Sequence, residues 1–376
     1  MQSASSSSRM CSTSSRVVPT ASPRLAVRNR RVSSHAVAGA ALAATPQQQM
    51  AGLSPLAPQS ELGWRTDFSS VFMRGKMIGA GSFGQVHLGI HCESGLEVAI
   101  KSLPKVRGKL TRERTLEKIS RETDMLERLQ SCPGVIRLLE CFEDATSVQI
   151  VTELCPGGDL QKFVETYGPL DEPSLALVAF EVLKIVKSCH DLGILHGDVK
   201  PANFCLKDVK RNLFQNKQSS NLRAIDFGCS QFLGGRRLTK RTGTPVFMAP
   251  EIFARNYCGK ADIWGVGVML YWLYCKRFPF FPNAEVVKQA RLEEVAHAVS
   301  CAPISYDAGP WLSMSPEGVD FVSRCLSRSE DERLDIDEAL SHPWLEKYIR
   351  AEDRAGVACG GGAGAVGRLP MGGAAA

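Results

Sequence analysis

Three glycines, at 79, 81 and 84, set between two apolar-alternating stretches constrain this chain more than any other feature. The run Gly79-Ala80-Gly81-Ser82-Phe83-Gly84 follows Val71–Ile78 and leads into Val86-His-Leu88-Gly-Ile90. G-x-G-x-x-G alone is a weak signal, because dinucleotide-binding folds also use it to bring backbone amides against phosphates. In those folds the third glycine opens a helix. Here the residues after Gly84 alternate with period two, the pattern of a strand. The glycines therefore occupy a strand–turn–strand hairpin whose N–H groups can close over phosphates with no Cβ in the way.

The elements that follow supply charge. Val98-Ala99-Ile100-Lys101 is an apolar strand ending in a lysine. From Arg112 to Gln130, Leu116, Ile119, Met125, Leu126 and Leu129 recur at near-helical spacing, and Glu122 among them can face Lys101. A surface pair would contribute little, whereas a partly buried one would aim the lysine at a nucleotide's phosphates. Val148–Leu154 reads as another strand, and Pro156-Gly-Gly158-Asp159 marks a boundary between lobes. Leu175–His190 reads as a helix, with Asp171 and Pro173 as start signals and Gly193 as the stop. Beyond it stand His196-Gly197-Asp198-Val-Lys200-Pro-Ala-Asn203 and Ala224-Ile-Asp226-Phe-Gly228. Phosphoryl transfer needs metal ions on the phosphates, a cation and a carboxylate that orients the nucleophile. Asp198, Lys200, Asn203 and Asp226 are of those types, and their oxygens suit Mg²⁺.

With these motifs in register, residues 70–346 resemble the eukaryotic protein kinase family. Gly243-Thr244-Pro245, Ala249-Pro-Glu251, Asp262-x-Trp264-Gly265 and Arg333 extend the match. The resemblance implies an α+β fold of two lobes: an N-lobe over 70–154 with an antiparallel sheet and one helix, and a mainly helical C-lobe over 155–346. It implies a serine/threonine protein kinase that transfers the γ-phosphate of Mg·ATP, with protein substrates as partners. The glycine run with Val86, Ala99, Thr152, Glu153 and Cys155 would form the ATP site, where Lys101 pairs with Glu122 and contacts the α/β-phosphates. Asp159 would meet a ribose or a basic substrate residue. Asp198 would accept or orient the hydroxyl proton, Lys200 would neutralise the γ-phosphate, and Asn203 and Asp226 would ligate Mg²⁺. Thr244 would bond Asp198 and Lys200, Asp262 would anchor the catalytic loop, and Glu251 and Arg333 would form a structural ion pair.

The chain departs from the family pattern at several points. Gly197 stands where most kinases carry an arginine that clamps a phosphorylated activation loop, and Lys240 occupies the usual phosphosite. Activity independent of loop phosphorylation is the expectation. The polar stretch Lys207–Asn221 reads as an extended surface hairpin. Cys229, directly after the Asp226-Phe-Gly228 triplet, would disturb the site if oxidised. Asp262-Ile-Trp264-Gly and Ser341-His-Pro-Trp-Leu resemble the calcium/calmodulin-dependent and plant calcium-dependent kinases, yet no EF-hand loop or calmodulin-binding helix is evident. A pseudokinase scaffold, which binds nucleotide without transfer, is the rival; its usual mark is loss of the Lys, an Asp or the Asn.

Charge distribution fits this reading and disfavours nucleic acid. The net charge is +6, but residues 1–60 hold six arginines and no Asp or Glu. That leaves 39 basic residues against 39 acidic ones in the body. The leader, rich in Ser, Ala, Arg and Pro, has the composition of a transit peptide, with a disordered, uncleaved leader as the alternative. A chloroplast destination, most simply the stroma, is the expectation, with mitochondrion or cytoplasm as alternatives. No run is long and apolar enough for a membrane span. The thirteen cysteines lack metal-ligand spacing. The Gly/Ala-rich tail over 347–376 is expected to be flexible.

Overall fold

The computed structural model describes residues 60–81, 84–208 and 221–349. Most of the expected leader and tail, the glycine-loop tip Ser82–Phe83 and residues 209–220 of the polar stretch lie outside them.

Five strands form one antiparallel sheet: β1 (Phe72–Gly81), β2 (Gly84–His91), β3 (Glu97–Pro104), β4 (Leu138–Glu143) and β5 (Ser147–Glu153), in the order β1-β2-β3-β5-β4. Alternation along β3 gives the sheet two working faces. Val98 and Ile100 pack with Phe72, Phe142 and Val151 on one side. Leu103 joins Val148, Ile150 and Ile119 on the other, where helix α1 (Arg112–Arg128) lies. Because Lys101 is two residues from Leu103, the pleat turns it toward α1. The helix is N-capped by Thr111, whose hydroxyl accepts from Arg114 N.

After β5 the chain enters a helical lobe. Helix α2 (Leu160–Tyr167) is capped by Asp159, and α3 (Glu172–Asp191) by Asp171 with Pro173 in its first turn. Helix α4 (Lys260–Cys275) is buried on nearly every side, as its unbroken apolar run requires. It packs against α3 and the helix Pro316–Cys325. Two short ribbons line the front of this lobe: β6 (Ile194–Leu195) with β9 (Gln231–Phe232), and β7 (Phe204–Leu206) with β8 (Leu222–Ala224). The polar stretch leaves between β7 and β8, whose ends are joined by Lys207 N donating to Asn221 O at 2.9 Å. No helix among the described residues is long and apolar enough to cross a membrane.

The folded body begins earlier than residue 70. Residues 60–65 lie along β4, with Arg65 bridging Phe142 in parallel and Leu62 and Trp64 against the Leu103–Ile119 cluster.

Candidate active site

The glycine hairpin closes as its alternation requires, with Gly81 and Gly84 paired across the tip. Its glycines serve different ends. A Cβ on Gly84 would stand 2.2 Å from the carbonyl oxygen of Ser102, so that glycine is demanded by β2 lying on β3. Where Gly81 would carry a Cβ there is open space, the condition for a ligand's close approach. The register sets Val86 opposite Lys101 and Ala99 opposite Thr152, so these four share the face that carries Lys101.

Lys101 Nζ donates to Glu122 Oε1 at 2.5 Å and lies 3.6 Å from Asp226 Oδ1. Burial favours the neutral amine, but the charges of Glu122 and Asp226 outweigh it and hold the Lys101 pKa above the usual lysine value. Burial pushes the Glu122 carboxyl up, against the pull of Lys101. Burial also opposes ionisation of Asp226, yet Lys101 and the N–H of Gly228, 3.0 Å away, keep its carboxyl below the usual range. Phe227 is buried against the His196 ring, which fixes the strand end carrying Asp226.

Asp198 sits in the segment between β6 and β7. Lys200 Nζ bridges its Oδ2 and the Thr244 hydroxyl, each at 2.7 Å. Thr244 reaches Asp198 through its backbone N–H, 2.8 Å from Oδ1, rather than through its side chain. Asn203 Nδ2 donates to the Asp198 carbonyl at 2.8 Å and to Oδ2 at 3.2 Å, leaving its amide oxygen for another partner. Lys101, Glu122 and Asp226 thus form one charged group, and Asp198, Lys200, Asn203 and Thr244 a second. A carboxylate with an adjacent cation, beside a second carboxylate held by a lysine, is what in-line phosphoryl transfer asks of a protein.

A family model described as protein kinase domain matches residues 72–345. The chain belongs to the protein kinase family. Among curated proteins this kinase is 36% identical over 279 residues to calcium-dependent protein kinase 24 of Arabidopsis thaliana, covering 74% of this chain and 45% of that protein. It is 35% identical over 287 residues to calcium-dependent protein kinase 20 of Oryza sativa subsp. japonica, covering 76% and 49%. It is 37% identical over 276 residues to the Arabidopsis CDPK-related kinase 1, covering 70% and 45%. The chain spans about half the length of the curated relatives it matches.

The supporting shell of the kinase is buried. Asp262 accepts the N–H of His196 at 2.9 Å and of Gly197 at 2.8 Å. His190 Nε2 lies 2.9 Å from Asp262 Oδ2, a partner that no sequence motif marked. Burial alone would raise the Asp262 pKa, but His190 and the loop amides hold it below the usual value. Arg333, fully buried, makes a two-pronged contact with Glu251, its NH2 standing 3.0 Å from Oε2. Asp159 accepts the Lys162 N–H at 2.8 Å as the cap of α2, a local duty beside any ligand contact. The Glu153 side chain turns to Arg223 and to the N–H of Arg137, which leaves its backbone as the group that could meet a nucleotide. Cys155 is half-buried just beyond β5, and burial pushes its thiol up to about 12. Burial likewise raises Cys229, which works against a reactive thiolate there.

Proposed function

We propose that the chain is a catalytically competent serine/threonine protein kinase that uses Mg·ATP. The observation that carries this is the formed Lys101–Glu122 pair with Asp226 against the same ammonium. Among the described residues no three His, Cys, Asp or Glu side chains cluster to hold a metal by themselves. Asp226 and the free amide oxygen of Asn203 offer two hard oxygen ligands, and Mg²⁺ takes its remaining ligands from phosphate and water. When bound, the metal neutralises the phosphates and orients the γ-phosphoryl group.

The chain's own residues would do the rest. Lys101 holds the α/β-phosphates beneath Gly79–Gly84, and Ala99, Thr152 and the backbone of Glu153 and Cys155 surround the adenine. Asp198 receives the proton of a substrate Ser or Thr hydroxyl while that oxygen bonds to the γ-phosphorus and ADP departs. Lys200, already at Asp198 and Thr244, offsets the charge on the transferred group. The Asp198-Val-Lys200-Pro pattern supports Ser/Thr rather than Tyr as acceptor. The test is incubation with radiolabelled Mg·ATP and generic protein acceptors, followed by acid hydrolysis. Label on phosphoserine or phosphothreonine supports the reading; nucleotide-dependent thermal stabilisation without transfer supports the scaffold instead.

Independence from activation-loop phosphorylation is part of this reading. Gly197 offers no cation to a loop phosphate, and Lys240 already supplies a positive charge in the loop. Burial, with the charges of Arg121 and Lys118 nearby, pushes the Lys240 ammonium pKa down. Thr239→Ala/Thr242→Ala protein should keep its activity, and loss of activity would refute the point. Composition supports a plastid transit peptide in residues 1–60, which an import assay into isolated chloroplasts tests.

A further inference from the structure

The segment just ahead of the family domain is tied to the helix that carries Glu122. Glu61 Oε2 accepts from Arg112 Nε at 2.9 Å and its Oε1 from Arg112 NH2 at 2.5 Å. Arg112 is the first residue of α1, where a positive charge opposes the helix dipole and an added carboxylate offsets it. The same Glu61 Oε1 lies 2.9 Å from Lys105 Nζ, at the end of β3.

Lys105 is buried, and its second partner is Glu143 at 2.6 Å, also buried. Glu143 gathers the backbone of the segment: the N–H groups of Glu61, Leu62 and Trp64 donate to it at 3.1, 2.9 and 3.2 Å, and the Ser60 hydroxyl adds another bond. Its own N–H donates to Arg65 O at 2.8 Å. Leu62 and Trp64 then cover the cluster containing Ile119, one helical turn before Glu122. One side of the segment is thus fixed to β4 and the other to the start and inner face of α1.

We propose that residues 60–65 are a positioning strap for α1, acting through the Glu61–Arg112 contact to hold Glu122 on Lys101. This rests on the kinase reading, because what the strap sets is the Lys101–Glu122 pair. Among the described residues Glu61 and Arg112 touch neither the glycine-loop strands nor Asp198, so their effect on turnover passes through the helix. Two partly exposed charges would contribute little as an isolated pair. Here they join two elements, and loss of the join frees the helix end rather than unfolding the lobe.

The test uses the full chain with Glu61→Ala, Arg112→Ala and the double variant, assayed well below the melting temperature. The expected result is a kcat/KM for ATP lowered about three- to tenfold in each single variant and no further in the double, the non-additivity of partners. Amide exchange across residues 112–122 should quicken by about tenfold in all three. Glu61→Gln should behave as Glu61→Ala. Single-variant kinetics within twofold of the parent, or additive losses with exchange in α1 unchanged, would overturn the strap. Absence of transfer by the parent would defeat the kinase reading alone, and exchange across α1 would then judge the strap by itself.

Discussion

Gly197 and Cys229 are packed so closely that a Cβ on Gly197 would stand 2.7 Å from the Cys229 carbonyl oxygen. Gly197 also has φ of +76°, in the left-handed region where side chains are strained. Position 197 is therefore built around glycine. Gly197→Ala should cost about 1–3 kcal/mol and lower turnover, since the Gly197 N–H is bound by Asp262 and its carbonyl abuts Gly243. Gly197→Arg should fare no better and should not create dependence on a loop phosphate. Thermal unfolding alongside transfer rates checks both; an arginine variant of full activity and stability would contradict the account.

Glu122→Gln keeps the shape of the site and removes a charge from Lys101. The ammonium would retain Asp226, 3.6 Å away, but lose the partner that aims it. Turnover should fall about ten- to hundredfold, with a rise in the KM for ATP, because phosphate contact and orientation are lost together. Steady-state kinetics over a range of ATP concentrations separates the two effects.

The Asp262 carboxylate serves two loop amides and His190. Asp262→Asn presents one oxygen in place of two and leaves a buried N–H unpaired, costing about 1–3 kcal/mol. It should also lower kcat more than KM, because the loop it holds carries Asp198. His190→Ala should have a smaller effect on both stability and kcat, and equal losses from the two variants would argue against the loop bonds as the main contribution.

Arg333→Ala leaves the Glu251 carboxylate buried without its partner. Breaking such a pair from one side costs about 3–5 kcal/mol. Chemical denaturation should register that loss, while activity at low temperature persists in the folded fraction, since neither residue touches Asp198 or Lys101 in the structure.

Much of this architecture was legible because its signals are local. Glycine spacing followed by period-two alternation gave the hairpin, and Asp171 with Pro173 gave the start of α3. The Lys101–Glu122 pair was readable from one strand and one helix face, although 21 residues separate them. What escaped were contacts set by packing between distant segments. His190 carries no motif, and its place at Asp262 depends on α3 crossing α4. Residues 61–69 fell between the leader and the kinase-like span because they carry no motif and no periodicity; Glu61, Leu62 and Trp64 are placed by giving backbone N–H groups to Glu143, about 80 positions away. Asp159 was assigned to a ligand by family analogy, though an Asp before an apolar helical run is also an N-cap signal. Thr244 meets Asp198 through its amide, a choice between backbone and side chain that residue identity cannot express.

The most direct test of the central claim is transfer of radiolabelled γ-phosphate from Mg·ATP to a generic Ser/Thr protein by the full chain, beside Asp198→Asn. The account predicts label on the acceptor, reduced by a factor of about 10² to 10⁴ in the variant, the usual contribution of a positioned acid–base group. Equal labelling by the parent and the variant, or none by the parent despite bound nucleotide, would contradict it.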